Sequence, residues 1–414
     1  MKSRILTLFT ALALFATLAL PVWIAAQEQQ QEPPRYTVID LGTLGGTRSL
    51  AGGISNSGWV EGRATWPGDI VTHAVLWREG VIHDLGTLGG PNSDAGYRPN
   101  DFGNLGGASE NGTPDPYVEN FCGYGTNLLC LPIVWWNAEK KMTQLPTLGG
   151  NNAWAAGIND RNMVAGVSEN TTTEPTCAGT SQVFQYKPVI WTKGKVHELP
   201  TVAGDPVGMA WAINYLGQAT GYSGGCTTYL HALLWQDGKV IDLGNLGGVM
   251  NNTGVDINNL GQVVGNSDLQ GDNTLHAFLW QKKTGMIDLG TLPGDVGSDG
   301  DGINDLGQVV GGSWDADGND RAYLWQNGVM TDLNTLIPAD SPLHLIEATG
   351  TINDWGQIAG IALVISTGEV HGFLATPTTM YWPICERDKV ILPDHVRNLL
   401  QQRRHFHQFG GGFN

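Results

Sequence analysis

The sequence predicts an all-β fold: a seven-bladed β-propeller of four-stranded antiparallel blades, closed into a ring by the N-terminal strand, with a short C-terminal helical tail. Three observations lead there. Three short elements, of the form INDLGQVVG, HAFLW and DLGTL, recur in fixed order along almost the whole chain of 414 residues. Their spacing of about 45 residues is the size of one four-stranded blade. The first element after the leader is a lone DLGTL copy at Asp40, and the last repeat lacks that element, so pairing the two completes the final blade and removes an exposed edge.

The nine-residue element has copies starting at Ile54, Pro99, Ile158, Ile213, Ile257, Ile303 and Ile352, the Pro99 copy being degenerate. An apolar residue precedes Asn-Asp or a relative of it, and Gly follows two residues later. That is turn chemistry, leading from a first strand into a second. HAFLW and its variants begin at His73, Pro132, Pro188, His231, His276, Arg321 and His371. They are short, β-branched or aromatic, and bounded by turn residues, as expected of a third strand. Turns such as REG, QDG and QNG then lead into a fourth strand that ends in DLGTL. Whether this strand lies outermost in its own blade or innermost in the next is left open by the pattern. Small residues before each Ile, such as Ala212 and Gly302, suit a crowded inner strand, and the recurring Trp77, Trp135, Trp191, Trp235, Trp280 and Trp325 suit the space between blades.

Glycine numbers 58 and sits at fixed repeat positions without a collagen period. The formal charge of −17 argues against nucleic acid or an anionic membrane as a partner. Lys2 and Arg4 precede the apolar run Ile5–Leu20, Pro21 and a possible cleavage site at Ala26, so 1–26 reads as a signal peptide or an uncleaved anchor. Residues 27–35 read as a polar linker, 36–376 as the propeller, and 377–414 as a tail. In the tail, Asp394 is a candidate N-cap, and Val396, Leu399 and Leu400 form one face of a short helix carrying basic residues.

The HAFLW at His276, the INDLGQVVG at Ile303 and the DLGTLGG copies at Asp40 and Asp84 together resemble the HAF-repeat family of extracellular bacterial repeat proteins. The resemblance covers Tyr36 to Ala375 and implies export and a propeller-like architecture. It transfers no catalytic residue. Pro132, Pro188 and Arg321 stand where the family motif has His.

Function is expected where the pattern is interrupted. The connections between second and third strands vary most, and variable loops on a rigid scaffold are where binding usually sits. Trp66 and Trp314 lie in them as candidate ligand-stacking residues. Asp315, Asp317, Asn319 and Asp320 space their oxygens closely enough to suggest Ca²⁺. Export admits disulfides, and the loop positions suggest Cys122–Cys130 and Cys177–Cys226, with Cys385 free. GYSGG at Gly221 matches a nucleophile elbow, but Gly-x-Ser recurs at the same repeat position in other blades, so Ser223 reads as structural. The repeated His73, His231, His276 and His371 stand too far apart for one metal and read as hydrogen-bonded strand residues. The expectation is a secreted or periplasmic, monomeric binding scaffold for protein or glycan, with no nucleic-acid partner and no membrane contact beyond the leader. A glycan-cleaving enzyme with carboxylates on the loop face, and a purely structural envelope protein, are the alternatives.

Overall fold

The computed structural model describes residues 33–137, 141–380 and 390–405. The leader, most of the linker and Cys385 lie outside them. From Pro34 onward the chain clusters as one compact unit.

Strand β1 (Arg35–Asp40) stands apart from the four-stranded units that follow. The first unit is β2 (Ser49–Ile54), β3 (Val60–Thr65), β4 (Thr72–Arg78) and β5 (Val81–Asp84). The second is β6 (Ser93–Ala95), β7 (Leu105–Pro114), β8 (Leu128–Trp135) and β9 (Met142–Gln144). The third is β10 (Ala153–Ile158), β11 (Val164–Thr173), β12 (Phe184–Thr192) and β13 (Lys195–Glu198). The fourth is β14 (Val207–Ile213), β15 (Ala219–Gly225), β16 (Thr228–Gln236) and β17 (Lys239–Asp242). The fifth is β18 (Gly247–Ile257), β19 (Val263–Leu269), β20 (Leu275–Gln281) and β21 (Gly285–Asp288), joined to the fourth by one parallel pairing, Tyr229 with Asn251. The sixth is β22 (Gly297–Ile303), β23 (Val309–Trp314), β24 (Asp320–Gln326) and β25 (Val329–Asp332). The last has only three consecutive strands, β26 (Leu343–Glu347), β27 (Ile358–Val364) and β28 (Val370–Thr378), and β1 completes it by pairing antiparallel with β28 from Arg35–Thr378 to Asp40–Phe373. Within each unit the strands pair antiparallel in chain order, so the fourth strand is outermost in its own unit.

Consecutive units bury an apolar cluster between them. One such cluster joins the last unit to the first, where Ala359 and Leu374 pack with Ile54, Val75 and Trp77. The recurring Trp is buried here, and its indole finds an acceptor in the neighbouring unit: Trp77 Nε1 donates to Leu41 O at 2.8 Å and Trp135 Nε1 to Leu85 O at 3.0 Å. A buried indole needs such a partner.

The DLGTL aspartate anchors the third strand. Asp288 accepts from Gly290 N at 2.7 Å while His276 Nδ1 lies 2.9 Å from Oδ1. Asp40 does the same with Gly42 N and His371. In the sixth unit Arg321 replaces the His and reaches Asp295 at 2.7 Å and Asp332 at 3.2 Å. The register corrects one alignment. Ser109 faces Leu131 and Ser168 faces Lys187, as Ser267 faces His276, so Leu131 and Lys187 occupy the His position. Pro132 and Pro188 replace the following Ala.

The tail helix α1 (Asp394–His405) docks on the domain: Leu392, Val396 and Leu400 are buried among Leu50, Ile346, Ile361, Leu363 and Val370. Asp394 is its first residue rather than its cap; Pro393 O accepts from Val396 N and Arg397 N.

Candidate functional site

Two regions depart from the repeat. The first is the end of the domain where first strands turn into second strands. In every copy, the turn closes with the N–H of its fourth residue bonded to the carbonyl of its first, from Gly58 N to Ser55 O through Gly356 N to Asn353 O. Gly307 there has φ +75, and in the third copy Asn162 supplies the same conformation at φ +57. The Asn of the motif has two roles. Asn304 Oδ1 accepts from Leu306 N and Gln308 N in its own turn, and Nδ2 donates to Asn353 O of the next unit at 3.0 Å. Asn353 Nδ2 continues the chain of bonds to Ser55 O, back in the first unit. The next motif residue forms a second belt: Asp305 N donates to Asp354 Oδ1, and Asp354 N to Asn56 Oδ1.

Inside this belt lies a cavity of about 90 Å³ lined by residues of all seven copies, among them Asn56, Asp101, Asp160, Tyr215, Asn259, Asp305 and Asp354. Two side chains just before the degenerate second copy fill its floor. Tyr97 OH donates to Asp301 O. Arg98 Nη2 lies 2.9 Å from Asp256 Oδ2, and 3.5 and 3.4 Å from the carbonyls of Ile303 and Ile352. Burial pushes the Asp256 carboxyl above its usual range, against the opposing pull of Arg98 and the N–H groups of Ile303 and Ile257.

The second region is the opposite end, carrying the connections between second and third strands. Cys122 and Cys130 are disulfide-bonded, as are Cys177 and Cys226. The bonded loops of the second, third and fourth units pack into one buried cluster with Phe121, Tyr186, Tyr222, Tyr229 and the inner-strand Trp154 and Trp211. Glu119 ties the loops together. Its Oε1 accepts from Val183 N at 2.6 Å and Phe184 N at 3.2 Å, and Oε2 accepts from Asn152 Nδ2 at 3.3 Å. Glu169 beside it accepts from Gln182 Nε2 and Asn152 N. Burial, and then the Glu119 charge, push Glu169 up to about 8. Sequence reasoning missed this pair; Glu119 lies in an insertion, where no repeat assigns it a position. At the loop's outer tip Tyr117 packs edge-on against Phe184, and Val118 holds φ +62 while 62% exposed. A β-branched residue there is strained.

The sequence-named candidates fall as follows. Trp66 is partly exposed and donates from Nε1 to His73 Nδ1 at 3.2 Å. Trp314 packs its ring over Gly297. Asp315 Oδ1 accepts from Asp317 N and Asn319 N within its own turn, and Asn319 Oδ1 accepts from Leu392 N of the tail. Among the described residues, the acids whose oxygens converge within 4.8 Å are instead Asp299, Asp301 and Glu347, all buried. Ser223 donates to Asp205 Oδ2 at 2.5 Å, and His231 Nδ1 lies 2.8 Å from the same oxygen. The carboxylate stands between Ser and His, so the imidazole does not meet the hydroxyl. Ser313 with Asp295 and Arg321 repeats the pattern in the sixth unit.

No family model matches the sequence, and no curated protein matches it. Solved structures of similar fold include a puromycin-hydrolyzing peptidase of Mycobacterium tuberculosis, at 11% identity and TM-score 0.44 over 82% of this chain and 56% of that one. They also include prolyl endopeptidases, at 9% and 0.46 over 81% and 51%, and a Xanthomonas campestris gluconolactonase, at 8% and 0.38 over 84% and 96%. The chain spans about half the length of the peptidases it matches.

Proposed function

We propose that the units close into a seven-bladed β-propeller of the HAF-repeat kind, exported to an oxidising compartment, and that it binds a protein or glycan through the disulfide-stapled loops of its second to fourth blades. The closed ring is supported by the pairing of β1 with β28, by the Asn353–Ser55 bond and by one cavity shared by every copy of the motif. Export is supported by the two disulfides, which persist in oxidising surroundings. No helix among the described residues is long and apolar enough to cross a membrane.

The observation that carries the binding reading is Val118. Val118 takes the left-handed fourth position of a turn, its N–H on Asp115 O, where the motif turns have Gly or Asn; a strained, exposed, β-branched residue in that place, beside Glu119, supports a role beyond the turn. Glycan-array and pull-down measurements on the chain and on a Tyr117→Ser/Val118→Asp variant test it. The expected result is a ligand retained by the first and lost by the second. Equal retention by both sinks the assignment of the binding tip.

A second reading, a glycan-cleaving enzyme of propeller fold, is favoured by the convergence of Asp299, Asp301 and Glu347. It accords with the names of the similar structures, whose likeness concerns fold alone. Turnover of oligosaccharides that disappears in Asp299→Asn would establish it in place of the first.

A further inference from the structure

The motif that builds the turns also leaves something exposed that folding does not use. Between the motif Asn and the turn Gly stands a large apolar side chain in most copies: Phe102, Leu216, Leu260, Leu306 and Trp355. These are between 60% and 72% exposed. The belt of Asn and Asp bonds fixes their backbones around the cavity mouth, so they form a rigid apolar ring on one face. A monomeric protein rarely repeats such exposure at one position.

The hairpins joining third and fourth strands lie on the same face. Gln308 at the inner turn donates to Gln326 at the outer hairpin at 2.6 Å, and Gln218 to Gln236 at 3.0 Å. These hairpins carry exposed Lys141, Lys193, Lys195, Lys239, Lys282 and Lys283. The described acids on this face are Glu79 and Asp237 of the hairpins and Asp101, Asp160, Asp305 and Asp354 of the inner turns. Asp305 and Asp354 of the inner turns accept backbone N–H groups, and Arg161 joins the basic side. The net charge of −17 therefore averages over a surface on which one face gathers lysine around an apolar centre.

The chain also enters at this face. Arg35 pairs with Thr378, the end of β28 nearest the turns, where Pro377 lies against Gly356, the neighbour of Trp355. The linker Gln27–Pro34 and the apolar run Ile5–Ala26 precede that point in sequence.

We propose that this turn face docks flat on an anionic phospholipid bilayer, with the apolar tips in the interface and the lysines on the phosphates. Apolar side chains entering the acyl boundary and lysines at an anionic surface add in such binding. The stapled loops then point away from the bilayer, which leaves the loop-binding reading independent of this one.

The test uses the full chain with vesicles of phosphatidylcholine alone or mixed with phosphatidylglycerol, and reads lysine acetylation residue by residue. Whether or not the apolar N-terminal run also inserts, the labelling reports which face meets lipid. With mixed vesicles, acetylation of Lys239, Lys282 and Lys283 should fall about tenfold, while Lys187, near the other end of β12, changes little. The variant L216S/L260S/L306S should lose most of that protection and keep its melting temperature, because its altered side chains are exposed and make no hydrogen bond; Trp355, whose Nε1 donates to Asn56 O at 3.0 Å, is left in place. Unchanged labelling of the native chain on adding vesicles overturns the proposal. So does protection that survives in the triple variant, protection as strong with phosphatidylcholine alone, or protection without lipid that grows with protein concentration, the mark of a second copy seated on this face.

Discussion

Arg98 of the second unit reaches Asp256 of the fifth, Nη2 to Oδ2 at 2.9 Å, and the same nitrogen lies near carbonyls of the sixth and seventh. One side chain of the second unit thus contacts three others. Removing it leaves a buried carboxylate without its cation, a change that typically costs about 3–5 kcal/mol. Arg98→Met should lower the melting temperature markedly, and the loss should be larger at pH 8 than at pH 5. Asp256 already sits above the usual carboxylate range, and losing Arg98 raises it further, so protonation at low pH relieves part of the cost. Arg98→Met/Asp256→Asn should recover much of the stability. Equal losses at both pH values would exclude this account.

Arg98 also marks the boundary of what the sequence makes legible. The strands and the pairing of Asp40 with the last repeat follow from repeated residues, because a position filled the same way again and again has one packing reason, whereas the outermost place of the fourth strand does not. Tyr97 and Arg98 stand just before the degenerate copy at Pro99 and serve the cavity floor rather than the repeat, and only the fold brings positions 98 and 256 together. The Pro132 and Pro188 copies read one residue out of register for a related reason: proline resembles a replaced His in the string, yet it replaces the neighbouring Ala, whose N–H it lacks. Glu119, on an inserted loop, has no repeat to compare with. Leu306 and its equivalents are plain in the sequence, but their exposure is not, since an apolar residue in a strand-rich motif suggests burial.

The proline exchange leads to a prediction. Ala277 N donates to Ser298 Oγ at 3.0 Å, and that hydroxyl donates onward to Gly290 O at 2.6 Å. Where Pro188 removes the donor, the facing residue is Gly208, with no hydroxyl to satisfy. Ser298→Ala leaves a buried N–H and carbonyl unpaired and should cost about 1–3 kcal/mol. Gly208→Ser, opposite Pro188, gains no such bond and sets its Cβ 2.6 Å from Tyr222 O, so it should destabilise. Denaturant melts of both variants check the pair, and a neutral Ser298→Ala would show that the bond is dispensable.

Glu169, buried beside the Glu119 charge, should make the fold less stable as pH rises. Its folded value of about 8 lies above the ordinary 4.5, so the folded state holds a proton that the unfolded state releases. The resulting stabilisation is full below about pH 4.5 and is lost as pH rises to about 8. Glu169→Gln keeps a neutral hydrogen-bonding group beside Glu119 and should flatten the dependence across this window. Urea melts at intervals between pH 5 and 9 read the slope directly; an unchanged slope in the variant would place the titration elsewhere.

The two disulfides should differ in effect. Cys177–Cys226 closes 49 residues and links the third unit to the fourth, while Cys122–Cys130 closes 8 within one loop. Chain entropy assigns about 4 kcal/mol to a loop of the first length and about 2.5 kcal/mol to the second. Cys177→Ser/Cys226→Ser should therefore lower global stability more, with early loss of protection at Tyr222 and Tyr229, which pack beside it. Cys122→Ser/Cys130→Ser should act locally, raising hydrogen exchange around Tyr117 and Val118 and weakening ligand binding more than it lowers the melting temperature. That split between stability and binding is the informative outcome. If both variants lose stability and binding in proportion, the strained tip at Val118 has no role separate from the buried cluster that both bonds join.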